Sequence, residues 1–272
     1  MEQAKQELLE IQESEVQKLK SILSQLSEDK TGLRQKIDDL AKMESSALDK
    51  LKELKERKML LEKENFQKMY QWVKTHQNPR TGLIVSFEGD ENINDQAFTY
   101  DQALAVISFS YFSDYGPAKK ILDFYLTKAK QSGGFYNGYY VSTGDVSEFV
   151  IHSGPNLWLG IAVLQYTKMS GDNKYLAIAR DIARWTLKLQ NEDRDAGLRG
   201  GPDTRWYSTE HNLDGFAFFN MLSQMEPDPL YKKTAQDILS WLKNNAYDSQ
   251  VVPVKRGRGD ATIATDTYAW SI

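Results

Sequence analysis

The first part of the chain repeats its apolar residues in a heptad pattern, with charged residues between them. One row of the heptad begins at Leu9 and a second at Leu19, and both keep a single register to about Leu61. Apolar residues at alternating spacings of three and four form a stripe on one face of an α-helix, which is typical of a coiled-coil seam. The first row contains Leu9, Val16, Leu23, Ile37 and Leu51, and the second contains Leu19, Leu26, Leu33, Leu40, Ala47, Leu54 and Leu61.

Three charged residues interrupt the first row of this seam, namely Lys30, Glu44 and Lys58. Polar residues at such positions weaken a coiled coil but help to fix its register and the number of helices. A single helix cannot bury its own stripe of leucines, so a partner helix or a homo-oligomer is expected. Residues 1–65 are therefore predicted to be a coiled-coil stalk that acts as a spacer or dimerisation element, and a surface that docks another protein is the alternative.

Gly32 lies inside the heptad register and is the one residue that disfavours a continuous helix. Glycine in a helix interior costs about 1 kcal/mol. The register continues past Gly32, which favours one long helix with a kink there. The alternative is a hairpin of two helices that turns near residues 29–32.

From about residue 66 onward, amphipathic helical segments come in pairs that resemble one another. Two of the second helices, KYLAIARDIARWTLKLQ and LYKKTAQDILSWLKNN, resemble each other. Tyr175 and Trp185 of the first correspond to Tyr231 and Trp241 of the second, at an offset of 56 residues in both cases. A fixed period of this size predicts an array of helical hairpins, in which each pair needs its neighbours to cover its apolar face. Helices are predicted near residues 99–113, 117–130, 155–169, 173–190, 209–224 and 229–245, with another that begins near 265.

Each first helix of a pair begins near a hydroxyl residue: Thr99, Ser153, Ser208 and Thr265. Serine and threonine side chains commonly cap helix N-termini by accepting a backbone N–H. Thr99 and Gln102 also have the spacing of a capping box. We therefore expect these hydroxyl groups to cap the first helices.

The composition separates the two parts of the chain and excludes several functions. All six tryptophans and all fourteen tyrosines follow Phe66, and the net charge of −4 with a pI of about 5.6 argues against nucleic acid as a partner. The chain contains no cysteine, no stretch apolar enough to span a membrane and no apolar leader segment at its beginning. A bacterial envelope or secreted location is slightly favoured over the cytoplasm, and neither a metal nor a cofactor is predicted.

The segments YDQALAVI, GPNLWLGIAVLQY, STEHNLDGFAFF and ATDTYAW, with QNEDRDAGLRGGPD between two of them, resemble the six-hairpin (α/α) toroid proteins of the glycosidase-like superfamily. The resemblance covers residues 66–272 and contains three full hairpins, about half of a toroid. It implies an all-α fold in which a long coiled-coil helix is followed by α/α hairpin repeats that form an incomplete toroid. It also implies a carbohydrate as the ligand, while no catalytic signature of a single member family is matched.

Polar residues recur near the N-termini of the first helices, and in such a toroid these N-termini open on one face. Asp101, Asn156, Glu210 and Asp266 follow one another at spacings of 55, 54 and 56 residues, and Asp214 lies one helical turn beyond Glu210. Glycoside hydrolysis requires one carboxylic acid that protonates the leaving oxygen and a second carboxylate that activates water or attacks the sugar. The predicted catalytic residues are Glu210, Asp214, Asp101 and Asp266, although carboxylates also stabilise helix N-termini without any catalytic role.

The loops beside these helix starts carry candidate substrate-binding residues. Flat aromatic rings and nearby polar groups suit the faces and hydroxyl edges of sugars, but the same rings could pack the loops onto the helix ends. The candidates are His211, Asn156, Trp206, Tyr207, Tyr139, Tyr140 and Arg205. The predicted function is glycoside hydrolysis on a poly- or oligosaccharide, with lyase, phosphorylase or epimerase activity left open. The alternative is a non-catalytic scaffold that binds a glycan or a protein.

Overall fold

The computed structural model of the 272-residue chain describes residues 2–61, 64–128, 133–247, 254–260 and 262–270. The chain divides into two compact units, Met1–Lys68 and Met69–Ile272. This division falls three residues beyond the boundary expected from the sequence. Whether residues 1–65 and 66–272 fold as independent domains stays a prediction.

The first unit is dominated by one helix, α1, which spans Glu2–Leu61 without a break. The long helix is confirmed, and the alternative of a hairpin near residues 29–32 is wrong. The backbone passes through Gly32 in helical conformation, and a Cβ added there would contact nothing. The apolar stripe is exposed along the described part of the helix, for example 65% at Leu23 and 64% at Leu40. The side chains of Leu9, Leu54, Lys58 and Leu61 lie outside the described residues.

The second unit is built from three helical hairpins that follow α2 (Glu64–Thr75). The first hairpin consists of α3 (Thr99–Tyr111) and α4 (Tyr115–Thr127), and the second of α5 (Ser153–Ser170) and α6 (Leu176–Asn191). The third consists of α7 (Thr209–Met225) and α8 (Pro229–Asn245), and the short helix α9 (Thr265–Trp270) follows it. The inner helices α3, α5 and α7 pack side by side, and each outer helix packs against its own inner helix. The predicted α/α hairpin array is confirmed, although residues 129 and 130 of one predicted helix lie outside the described residues.

A small antiparallel sheet, which the sequence did not predict, joins two of the loops. It consists of β1 (Gln96–Phe98), β2 (Gly138–Tyr140) and β3 (Val146–Glu148), with Gln96 opposite Tyr140 and Phe98 opposite Gly138. Strands of three residues are too short to show an alternating pattern. The sheet fixes the loop between the first two hairpins beside the start of α3.

The central inner helix α5 is buried on nearly all sides, because α3, α6 and α7 all pack on it. Its described core residues include Leu157, Leu159, Val163 and Leu164, each with no exposed surface. The outer helix α6 instead has one buried face, which contains Ile182 and Trp185. The corresponding residues of α8, Ile238 and Trp241, are buried in the same way, which agrees with the period read from the sequence.

The most regular contact of the array is made by an amide side chain at the fourth position of each of the three longer inner helices, α3, α5 and α7. Asn156 accepts a hydrogen bond from the backbone N–H of Phe135 (2.8 Å) and donates to its carbonyl (3.0 Å). Gln102 binds both backbone groups of Ile84, and Asn212 both groups of Leu198, in the same manner. All three amides are fully buried. Each one holds a loop against its helix by satisfying the N–H and the carbonyl of one loop residue, as a neighbouring strand would do in a sheet.

The expected hydroxyl caps are correct at only one of the three longer inner helices. Ser208 is the N-cap of α7 and accepts from the backbone N–H of His211. The N-caps of α3 and α5 are Phe98 and His152, without a side-chain cap, so Thr99 and Ser153 are not caps and the capping box of Thr99 is wrong.

Loops of the array supply the missing partners instead. The first helical N–H groups at Thr99, Ser153 and Thr209 donate to the carbonyls of Asn137, Gly200 and Arg256. The hydroxyl of Thr99 likewise donates to the carbonyl of Tyr136 (2.7 Å). At each of these helix N-termini a loop carbonyl therefore accepts the hydrogen bond of the first backbone N–H, which has no partner within the helix.

Candidate active site

The N-termini of α3, α5 and α7 meet at one end of the array, and polar side chains gather there. The ring of Tyr100 on α3 lies 5.5 Å, centroid to centroid, from that of Trp158 on α5. Ser153 at the start of α5 is linked to His211 on α7 by a contact of 2.9 Å between Oγ and Nδ1. These contacts bring three separate repeats of the chain to a common site.

Tyr100 feels the charge of several acidic side chains and was missed in the sequence. Burial raises the pKa of its phenol, and the charges of Asp214, Glu210, Asp101 and Asp266 raise it further, in that order. All four predicted catalytic carboxylates therefore act on one hydroxyl group. Tyr100 directly precedes Asp101 and is one of fourteen tyrosines, so the composition gave no reason to select it.

A repeat alignment anchored on the first helical residue would have selected Tyr100. Thr99, Ser153, Thr209 and Thr265 are the equivalent first residues of the four inner helices. The next residues are then Tyr100, Gly154, Glu210 and Asp266. With Ser208 as the third start, Glu210 instead aligns with Asp101, the second residue after Thr99.

The four carboxylates differ in how deeply they are buried. Asp214 is 5% exposed, and burial followed by the charge of Glu210 raises its pKa well above the ordinary range, while an interaction with Trp158 opposes this. Glu210 is half-buried, and burial and then Asp266 raise its pKa. Burial also raises the pKa of Asp101 against a hydrogen bond from Ser86. Asp266 is exposed. A graded set of this kind can hold protons on some carboxyl groups and not on others.

Replacement of Asp214 with asparagine is expected to stabilise the protein at neutral pH. Because the folded pKa of Asp214 exceeds the unfolded value of about 3.9, ionisation disfavours the fold as the pH rises. Asp214→Asn removes that cost, so we expect a gain on the order of 1 kcal/mol in the free energy of unfolding at pH 7. Urea denaturation at pH 7 and at about pH 4 should show the gain shrinking at the lower pH.

A suitable control for that substitution is Asp203→Asn, since Asp203 is an exposed carboxylate outside this acidic cluster. Its stability should match that of the wild type at both pH values. A loss of stability in Asp214→Asn at pH 7 would contradict the expectation and would mean that the carboxylate of Asp214 supports the fold.

Two histidines beside the acidic cluster present fixed N–H donors. The backbone N–H of Gly154 donates to Nδ1 of His211 (3.2 Å), which places the ring proton on Nε2. Asn137 accepts from the backbone N–H of His152 (3.1 Å) and donates from Nδ2 to its Nδ1 (3.0 Å), so that ring also carries its proton on Nε2. Burial, followed by the charge of His152, lowers the pKa of His211 to about 3. Burial also lowers the pKa of His152. Both rings are neutral donors at physiological pH.

Trp206 lies against both histidines and completes an aromatic surface. Its ring is 5.2 Å from that of His211 and 5.5 Å from that of His152, and its side chain is 45% exposed. Gly200 permits this position, because a Cβ there would lie 2.2 Å from the Trp206 ring. An exposed indole beside two N–H donors can meet both the face and the hydroxyl edge of a sugar.

The other predicted substrate-binding residues lie in different surroundings. Tyr139 is 1% exposed and packs on Phe124 and Tyr125 in the core, while Tyr140 is 41% exposed on β2. Arg205 is exposed, and Tyr207 lies beneath the guanidinium of Arg258 at 3.9 Å. Asn156 uses its amide to hold the Phe135 backbone. Substrate binding by these residues stays a prediction, and among the candidates the structure brings Trp206 and His211 together.

Two cavities reach the acidic cluster from different sides. One of about 350 Å³ is lined by Tyr100 and Asp101 together with Phe87, Phe98, Asn137 and Pro155. Another of about 400 Å³ is lined by Asp214, Trp158 and mainly apolar residues of α7 and α8. A larger hollow of about 590 Å³ beside α4 contains none of the predicted site residues. We assign the candidate site to the converging polar groups and not to the largest of these three cavities, because the volume of a cavity does not show which chemistry it supports.

Two further findings concern only the part of the chain that the structure describes. There, no three histidine, aspartate or glutamate side chains lie close enough together to hold a metal ion. None of the described helices is long and apolar enough to cross a membrane.

Comparison with solved structures shows the same fold in several carbohydrate-active proteins. A cellobiose 2-epimerase from Bacillus thermoamylovorans B4167 aligns with a TM-score of 0.59 at 13% identity, over 74% of this chain and 57% of that one. A D-mannose isomerase gives 0.56 at 16% identity, over 66% of this chain and 52% of that one. A GH8 endo-β-1,4-glucanase from an Achatina fulica gut metagenomic library gives 0.54 at 16% identity, with 72% and 65% covered.

The second unit therefore shares the α/α-hairpin fold of these solved structures. The aligned part spans between about half and two thirds of the length of these three structures. No protein family matches the chain by sequence, and no curated protein matches it.

Proposed function

We propose that residues 66–272 form a carbohydrate-active domain that hydrolyses glycosidic bonds with the carboxylates around Tyr100. The observation that carries the proposal is the effect of four carboxylates from three inner helices on this one phenol. His152 and His211, which are neutral donors, and the exposed ring of Trp206 contact one another at the starts of α5 and α7, and a sugar ligand requires groups of this kind. The carbohydrate-active structures that share the fold support the same class of substrate.

The raised pKa values suggest how the work is divided between the carboxyl groups. Glu210 is half-buried, so a bound sugar can reach it, and its raised pKa suits a general acid that donates a proton to the leaving glycosidic oxygen. Asp214 lies one turn deeper and carries a still more disfavoured charge, so the pair keeps a proton at a higher pH than an isolated carboxyl group. Asp101 or Asp266 then removes a proton from the water molecule that adds to the anomeric carbon.

The proposal is tested by incubating the full chain with a panel of labelled oligosaccharides of both anomeric configurations and analysing products by mass spectrometry. Hydrolysis adds one water molecule and forms a new reducing end, whereas isomerisation or epimerisation leaves the mass unchanged. Turnover by the wild type and its loss in the Glu210→Gln, Asp214→Asn double variant is the expected result. Turnover that is equal in the wild type and this variant would contradict the assignment.

A second candidate function, glycan binding without turnover, is favoured by one particular arrangement. Trp206, His152 and His211 form a surface whose contacts with one another involve none of the four carboxylates. Such a surface could bind a sugar even if no bond were cleaved. Saturable binding to a glycan array with no product from any bound glycan would support this function over hydrolysis.

Trp206→Ala is expected to weaken glycan binding by about ten-fold, because a sugar face would lose its aromatic contact. Isothermal titration calorimetry with a glycan selected from the panel would measure the change. Tyr111→Ala is the matched control, since this 68% exposed ring lies in the last turn of α3, at the opposite end of the helix from Tyr100. Equal binding by both variants would show that Trp206 does not contact the sugar.

A further inference from the structure

The stripe of apolar side chains on α1 needs a partner that covers nearly its whole length. α1 has 60 residues, which corresponds to about 90 Å at 1.5 Å per residue. Eight seam residues along its described part are between 48% and 65% exposed: Val16, Leu19, Leu23, Leu26, Leu33, Ile37, Leu40 and Leu51. An exposed apolar stripe of this length fits another long helix with the same repeat.

A second copy in parallel orientation would bring like charges together in the seam. In a parallel pair each residue of the first heptad row faces its own counterpart. Lys30 would then meet Lys30 of the second copy, and Glu44 would meet Glu44 of the second copy. Beside the seam, Glu15 would face Lys20 and Asp29 would face Arg34 of the second copy, which is favourable, but Lys50 would face Lys55 of the second copy. The contacts at Lys30, Glu44 and Lys50 each place equal charges close together, two of them in the desolvated centre of the coil.

An antiparallel pair removes each of these like-charge contacts. In this orientation the first row of one helix faces the second row of the other. When the two helices overlap from end to end, the midpoint of α1 between residues 31 and 32 lies opposite itself. Lys30 then faces Leu33 of the second copy and Glu44 faces Leu19 of the second copy, so that each long stem can pack on leucine while its charge reaches water. Leu23 faces Leu40 of the second copy.

The positions that flank the seam are complementary in this same register. Glu15 lies opposite Lys50 of the second copy, and Asp29 lies opposite Lys36 of the second copy. Ile22 (52% exposed) lies opposite Met43 of the second copy, which is 68% exposed in the single chain. The remaining described flanking positions from Glu13 to Leu48 bring no two equal charges together. Charge and apolar complementarity thus favour the register that also gives the greatest overlap.

We infer that α1 is a self-association surface that binds a second copy of this chain in antiparallel orientation, with Glu15 opposite Lys50 and Leu23 opposite Leu40. The inference goes beyond the proposed enzymatic function and does not depend on it. It concerns only α1.

The test uses the absence of cysteine in the chain, since any introduced thiol is then unique. Full-length Leu23→Cys and Leu40→Cys chains with different tags are mixed, unfolded, refolded together and oxidised mildly. An antiparallel pair should give mainly disulfides between the two variants and little within either variant alone. Ser21→Cys with Lys42→Cys is the control pair, at a similar height but on the outer face of the coil. Disulfides within each variant, or a monomer in sedimentation analysis, would overturn the inference.

A charge substitution gives an independent test by sedimentation equilibrium. Lys50→Glu places two glutamates opposite each other at both ends of an antiparallel pair, so self-association should weaken by about five-fold. Glu15→Lys in the same chain should restore it. In a parallel pair Lys50→Glu would instead relieve the repulsion with Lys55, and stronger association of this variant would overturn the proposed orientation.

Discussion

Glu210→Gln is expected to lower glycan turnover by about 10²- to 10⁴-fold, the usual contribution of a general acid. Glutamine has nearly the same shape and can still hydrogen-bond to a sugar, but it cannot give a proton to the leaving oxygen. The dissociation constant of the glycan should therefore change much less than kcat. The measurement is steady-state kinetics on whichever oligosaccharide of the panel responds, together with calorimetric titration of the inactive variant.

The dependence of turnover on pH in the wild type provides a second test of Glu210 as the general acid. Because burial and the charge of Asp266 raise the pKa of Glu210, the acid stays protonated to a higher pH than an exposed glutamate does. Turnover should fall as the pH rises through that raised pKa, and this falling limb should disappear in Glu210→Gln. Glu91→Gln, an exposed glutamate in the loop before α3, is the control and should keep both the rate and the profile. An unchanged rate in Glu210→Gln would remove Glu210 from the mechanism.

The helical architecture could be predicted because its signal is local and repeated. The heptad register continued across Gly32, and the structure has one helix there, since glycine in a long helix costs only about 1 kcal/mol. The hairpin array was visible because equivalent residues such as Trp185 and Trp241 fill the same place in successive repeats. The coiled coil itself stays a prediction, because a single chain cannot show what covers the seam.

The helix starts were harder to predict because their partners are distant in sequence. Thr99 looked like an N-cap, but its hydroxyl donates to the carbonyl of Tyr136, 37 residues away. Sequence spacing reports short-range caps and carries no information about a loop that returns from the next repeat. The pairing of β1 with β2 was missed for the same reason, since Gln96 and Tyr140 are more than forty residues apart in sequence.

The candidate site could also be predicted only in part, because the sequence shows the type of each residue but not its surroundings in the fold. Glu210, Asp214, Asp101 and Asp266 were selected because carboxylates are recognisable wherever they stand, and all four act on Tyr100 in the fold. Tyr100 itself resembles the many core aromatics of the chain, and only its surroundings distinguish it. Asn156 was selected for its polarity, yet its environment is wholly buried, which a polar residue in a sequence does not reveal.

Asn156→Ala is expected to destabilise the second unit by about 2–4 kcal/mol, the cost of losing several hydrogen bonds in a buried place. The substitution leaves the backbone N–H and carbonyl of Phe135 without their partner, and it also removes the bond to the carbonyl of His152. Because water does not reach this position, the abandoned backbone groups cannot be satisfied from solvent. Urea denaturation followed by tryptophan fluorescence would measure the loss, since all six tryptophans follow Phe66 in the sequence.

The equivalent substitution Asn212→Ala should cost a similar amount, because Asn212 holds both backbone groups of Leu198 and the carbonyl of Ser208 in the same way. Asn220→Ala is the control, since Asn220 lies exposed on the same helix as Asn212 and should change stability by less than about 0.5 kcal/mol. If Asn156→Ala and Asn220→Ala were equally stable, the buried amides would not hold the loops to the helices. Retained stability with lost glycan binding would instead assign Asn156 to the substrate, as its position near the helix start first suggested.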